Sequence, residues 1–159
     1  MATTYEKIAS TTLGSAQGTI TFSSIPSTYT DLVIIFNGTA SGSTTAGLQF
    51  NSDTNSNYSH TYVLGDGTTA FSSRGTSTTF MNQFYPNTTI GMAIFNIQNY
   101  ANTTTNKTVI TQFANATNYA GALLGLWRST AAINTVLLTG NGTNFAVGST
   151  VTIYGIKAA

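Results

Sequence analysis

The scarcity of charge in this chain constrains its fold more than any other feature. Only 6% of its residues are Asp, Glu, Lys or Arg, against about 25% in an ordinary globular domain. Yet 41% are hydrophobic. A long soluble helix needs Glu, Lys and Arg on its exposed side, and those residues are not available. Threonine takes their place. Thr is β-branched and fits a pleated surface, so a polar face of hydroxyls and amides belongs on a sheet. The chain reads as all-β.

A length of 159 residues is one domain's worth of chain, enough to bury a single sizeable core. Eight Tyr, nine Phe and one Trp supply the large apolar anchors, which excludes disorder by lack of hydrophobicity. The net charge of +1 provides no field to attract nucleic acid or an acidic membrane. Without cysteine there is no disulfide, thiolate nucleophile or Cys-based zinc site, a composition compatible with a reducing cytoplasm. The opening Met1-Ala2-Thr3-Thr4-Tyr5-Glu6-Lys7 has no basic region followed by an apolar core, so no secretory leader is expected. No apolar run approaches the ~20 residues of a membrane span. A near-neutral, charge-poor chain with strand edges is at risk of aggregation unless copies of itself or a partner cover them. Homo-oligomerisation is therefore expected.

Short β-type runs alternate with turns from end to end. Gly18 to Ser23 alternates apolar and hydroxyl residues with period two, the pattern of a half-buried strand. Asp31 to Phe36 is a continuous apolar run closed by Asn37-Gly38. Gly47 to Phe50 and Tyr58 to Leu64 follow, the latter closed by Gly65-Asp66-Gly67. Thr68 to Thr79 is rich in Ser, Thr and Gly and reads as a long loop. Further strands are expected at 89–97, 107–113, 121–127, 133–138 and 150–154, although Ala and Leu between Ala120 and Ala132 also suit a short helical turn. About ten strands in one domain spanning 1–159 predict an antiparallel β-sandwich, jelly-roll-like, with residues 1–12 as a docking arm. Phe36, Phe50, Phe95, Phe113, Trp127, Leu137 and Ile153 are the expected core.

No constellation for catalysis emerges, and the chain is not expected to be an enzyme. His60 is the only histidine and, in the alternating run Tyr58 to Leu64, is expected to point outward. No Gly-x-Ser-x-Gly elbow accompanies it. The carboxylates Glu6, Asp31, Asp53 and Asp66 show no spacing suited to a glycosidase pair. Asn51-Ser52-Asp53-Thr54-Asn55 places oxygens on alternate residues, but Ser56 and Tyr62 stand where a calcium loop needs Gly and Glu, so an Asx turn is the better reading. Phosphate-binding fingerprints are missing. The basic residues Lys7, Arg74, Lys107, Arg128 and Lys157 are scattered, which forms no nucleic-acid stripe. Asn-x-Ser/Thr recurs at Asn37, Asn57, Asn87, Asn102, Asn106, Asn115 and Asn141; Ser and Thr are so common here that chance produces it. Arg128, after Trp127, is open to three roles: pairing with a carboxylate such as Asp31, stacking on an aromatic ring, or anchoring a partner. No cofactor or metal is expected, and no interface residue is assigned.

Several segments resemble small virion proteins of tailed bacteriophages, especially those infecting cyanobacteria and marine bacteria. They are Ile25-Pro26-Ser27-Thr28-Tyr29-Thr30-Asp31-Leu32, Leu48-Gln49-Phe50-Asn51-Ser52-Asp53 with Asn57-Tyr58-Ser59, Gly125 to Ile133, and the ending from Asn144-Phe145-Ala146-Val147-Gly148-Ser149 through Tyr154-Gly155-Ile156. The resemblance implies a virion structural part, either a capsid decoration (cement) protein or a domain of a tail fibre or receptor-binding appendage. No heptad segment or β-helical shaft is visible, which favours decoration. The partners implied are further copies of the chain, as a trimer at a local three-fold, and the major capsid protein or other virion proteins. A receptor-binding domain would instead use the loops expected at Thr68 to Asn87 and Asn99 to Asn106 to grip host glycans.

Overall fold

Period-two alternation of buried and exposed side chains builds this molecule. In Lys107–Asn115 the residues Lys107, Val109, Thr111 and Phe113 are buried while those between them are exposed; in Thr150–Ile156, Val151, Ile153 and Gly155 point inward. A computed structural model describes residues 4–117 and 119–157. Among these lie twelve strands and no helix: β1 Tyr5–Thr12, β2 Thr19–Phe22, β3 Asp31–Gly38, β4 Ala46–Phe50, β5 Tyr58–Gly65, β6 Ala70–Thr78, β7 Met81–Phe84, β8 Gly91–Ile97, β9 Lys107–Asn115, β10 Ala120–Trp127, β11 Val136–Thr139 and β12 Thr150–Ile156. They form an eight-stranded sheet, in the order β1-β12-β3-β8-β9-β10-β5-β6, and a four-stranded sheet, β2-β11-β4-β7. All strand pairs are antiparallel. The chain is thus all-β, with two antiparallel sheets consistent with a β-sandwich.

Aromatic side chains join the sheets. Phe84 of β7 meets Phe36 of β3 at 5.0 Å and Phe95 of β8 at 5.5 Å between ring centroids. Phe145, from the segment between β11 and β12, closes the group at 5.3 Å from Phe36. A second group sets Phe50 of β4 against Trp127 of β10 at 5.5 Å, with Tyr58 of β5 stacked beyond the indole. These separations are typical of favourable ring pairs. Six of the seven expected core residues are buried: Phe36, Phe50, Phe95, Phe113, Trp127 and Ile153. Leu137 is not. Val136 and Leu138 face the core instead, because β11 pairs Leu138 with Leu48 and Ile20, whose side chains point inward.

Three strands depart from the expected pattern. The stretch read as a loop from Thr68 to Thr79 contains β6, hydrogen-bonded along β5. Its Ser and Thr residues lack an apolar phase because both of its faces are exposed, so β-propensity and pairing alone define it. The short β7, Met81–Phe84, follows that stretch and is not among the expected strands. Tyr5–Thr12, most of the segment read as a docking arm, forms β1 along β12, with a bulge between Lys7 and Ala9; residues 1–3 lie outside the described residues. Residues 120–127 are strand rather than helical turn.

The inward register of β11 makes a direct prediction. Leu138→Ala removes a fully packed side chain and should cost about 2–5 kcal/mol, whereas Leu137→Ala should cost less than about 1 kcal/mol. Urea unfolding of the two variants checks this; equal losses would mean that the register is shifted by one residue.

Candidate interaction surface

His60 and the carboxylates Glu6, Asp31, Asp53 and Asp66 form no cluster of three or more among the described residues. His60 is 5% exposed and points inward, contrary to the expectation, because it shares the phase of Tyr58 and Leu64 on the core side of β5. Its ring lies against Gly75 of β6, where an added Cβ would come within 2.4 Å of the imidazole. Asn82 of β7 meets its Nε2 at 3.2 Å. Beside it, Thr111 donates to the buried Gln83 carboxamide, and a Cβ on Gly125 would strike that amide and Met81. This polar pocket in the core contains no carboxylate partner among the described residues. Burial holds His60 below the usual histidine range.

Asp53 anchors the loop between β4 and β5. Its Oδ2 accepts hydrogen bonds from the Trp127 indole at 2.7 Å and from Asn57 Nδ2 at 2.9 Å. Its Oδ1 accepts from the Asn55 backbone N–H at 3.0 Å, which makes the segment an Asx turn. Tyr58 donates to the Asp53 carbonyl at 3.1 Å. Desolvation, the largest single influence, pushes the carboxyl up, but the donors from Asn57, Trp127 and Asn55 together outweigh it and hold Asp53 at about 2. Its role is to lock the turn to the Trp127 cluster.

Arg128 does not pair with Asp31. Those residues sit on strands three places apart in the sheet, about 14 Å at ordinary strand spacing. Asp31 Oδ1 accepts from the Asn99 backbone N–H at 2.6 Å, and Arg128 donates to Ser59 Oγ at 3.1 Å. Lys107 is buried, its ammonium donating to the Thr105 carbonyl at 2.7 Å and the Thr130 carbonyl at 3.2 Å. The region 99–106 is a compact turn whose Asn102 carboxamide caps Thr104 and Thr105.

The broadest feature is the outer face of the large sheet. The pairing registers place Lys7, Tyr154, Val33, Asn96, Ile110, Leu124, Thr61 and Arg74 in one row across all eight strands. The next row contains Ser10, Thr152, Ile35, Ile94, Gln112, Ala122, Val63 and Ser72. Seven inter-strand steps make such a row about 33 Å wide. Within these two rows charge stands only at the edges, on Lys7 and Arg74, while Arg128 after β10 borders the same face near Leu124. Between the edges Ile110, Leu124 and Val63 are 44%, 52% and 59% exposed, and Met92 and Ile90 extend the apolar area along β8. A groove of about 350 Å³ runs beside Ile35, Ile90, Met92 and Ala114. Sequence reasoning missed this face because its apolar residues are spread over five strands, one or two from each.

No protein-family model matches this chain, and no curated protein matches it.

Acid should weaken the fold in two stages. His60 is neutral when buried but titrates near 6.5 when unfolded, so the stability present above that pH falls as the pH drops below it. Asp53 contributes stability above an unfolded value near 3.8, lost as the pH falls toward 2, of order 1–2 kcal/mol after allowance for its partial exposure. Urea titrations between pH 7.5 and 2.5 should show the upper stage vanish in His60→Gln and the lower one in Asp53→Asn. Persistence of either stage in its variant overturns that assignment.

Proposed function

We propose that this protein is a structural component of a tailed-bacteriophage virion: a capsid decoration (cement) protein that binds the outer surface of the head as a homo-oligomer, a trimer at a local three-fold, and reinforces it. The observation that carries this reading is the broad outer sheet face, apolar and hydroxyl-bearing between charged edges. Contiguous exposed apolar surface marks an interaction site, and a centre of the face without charge suits wide, neutral contact rather than steered binding of an ionic ligand. The resemblance of the segments at 25–32, 48–53 with 57–59, 125–133 and 144–156 to phage virion proteins supplies the setting. The sandwich is jelly-roll-like on this reading, assembled in the host cytoplasm, with capsid subunits and its own copies as partners and with no catalytic, nucleic-acid or membrane role. The same resemblance admits a tail-fibre or receptor-binding domain that recognises host glycans. The regions 68–87 and 99–106, which such a domain would use, are largely strand and self-capped turn rather than open loops.

Electron microscopy of the virion tests the assignment: density over the head is expected, and density at the tail tip with none on the head overturns it. The face itself is tested by Ile110→Lys with Leu124→Lys, on exposed positions of β9 and β10. The double variant should keep its strand content and melt within a few degrees of the parent, yet bind undecorated heads at least tenfold more weakly. Unchanged binding would place the contact elsewhere.

A further inference from the structure

Both arginines of the chain line one cleft on the outer face, and no acid partners them among the described residues. Arg74 of β6 and Arg128 after β10 border a depression of about 300 Å³ together with Ser59, Thr61, Thr76 and Leu124. Among the described residues the only ion pair is Lys157 with Glu6, at 2.8 Å. The side-chain carboxylates are occupied elsewhere. Glu6 also accepts from Tyr29, Asp31 caps Asn99, Asp53 is held by Trp127 and Asn57, and Asp66 accepts from Thr68 and Thr69. Among the described residues of a second copy these acids sit on paired strands or in turns, with Asp66 in the turn between β5 and β6, so none lies on an unpaired extended segment that could add beside β6.

The cleft adjoins an open sheet edge. β6 is the last strand of its sheet and is exposed on both faces. From Ala70 to Gly75 it pairs with β5 without interruption, and the extra residue that bulges it lies beyond, near Ser77, which has a φ of 54°. The far side of this straight run presents backbone donors and acceptors to an added strand. The opposite edge, β1, is blunted by Glu6, Lys7 and a bulge in its middle. Symmetric antiparallel pairing of two β6 strands about their midpoint would set Arg74 against Arg74, which like charge disfavours.

We infer that β6 accepts an extended segment of another protein as an added strand, and that this segment carries an acidic side chain into the Arg74–Arg128 cleft. The backbone edge supplies affinity and the two guanidiniums supply register, since a carboxylate fits the guanidinium fork in bidentate fashion. This goes beyond the virion role proposed above and holds whether the partner belongs to a head or a tail.

The test is a heteronuclear NMR titration of the full chain with the capped peptide Thr-Val-Thr-Glu-Thr-Val-Thr, its Gln counterpart, and polygalacturonate. The Glu peptide should shift the backbone amides of residues 70–75 and the side-chain Nε–H signals of Arg74 and Arg128 saturably at millimolar concentration. The Gln peptide should bind at least fivefold more weakly. Arg74→Gln and Arg128→Gln should each weaken the Glu peptide to a similar degree while leaving the remaining sheet signals in place. No shift along β6 at several millimolar peptide overturns the inference, as does equal binding of the Glu and Gln peptides. Response to polygalacturonate alone would assign the cleft to an anionic glycan instead. Shifts of residues 70–75 on simple dilution of the protein would assign the edge to a second copy; either result rejects the acidic segment.

Discussion

Four strands cannot cover eight. The small sheet buries the middle of the large one through β7 and β4, and the two aromatic groups are the fastening: Phe84 between Phe36 and Phe95, and Phe50 against Trp127. Wherever these rings reach, the inner face is buried. Beyond them the large sheet continues without a second layer. β6 is exposed on both sides, and Phe71, although on the inner phase of the sheet, remains 43% exposed. The exposed wing and the open edge both follow from this mismatch in width.

Polar groups are handled in keeping with the shortage of charge. Where a charged protein would use ion pairs, this one uses amide and hydroxyl side chains to replace backbone partners. Asn51 is the clearest case. Its Oδ1 accepts from the N–H groups of Asn134 and Thr135, and its Nδ2 donates to the Ala132 carbonyl, tying the turn after β4 to the approach of β11. Its own φ of 51° lies in the left-handed region, which Asn tolerates better than most residues. Asp66, Asn87 and Asn102 cap their turns in the same manner. Such bonds are short-range and weakly screened, so they hold loops in place without creating a long-range field.

How far the sequence foretells this structure depends on whether a strand has one buried face. β9 and β12 alternate cleanly and lie where expected. β6 has no buried face and therefore no apolar phase to read. In β11 three successive apolar residues, Val136, Leu137 and Leu138, conceal the phase, and only pairing with β4 and β2 reveals it. The inward direction of His60 was legible, since it falls in phase with Tyr58 and Leu64; the polarity of histidine outweighed that signal. The bond from Trp127 to Asp53 joins residues 74 apart in sequence, and no local pattern foreshadows it. The outer face is a property of sheet order, and strand periodicity alone does not give that order.

The distribution of charge then bears on association. Lys7 and Arg74 stand at opposite edges of one row, and nothing between them opposes close approach of another neutral surface. A free-standing domain usually protects such a face and its edges with charge. Here β1 has that protection and β6 has little of it, so the two edges are not equivalent. An asymmetry of this kind disfavours open-ended edge-to-edge growth, because one edge lacks a receptive counterpart on the next copy. It leaves the broad face free for wide, neutral contact and β6 for a single added strand. The low charge of the chain is thus the property that allows its largest surface to be covered with little of the desolvation cost of burying ions.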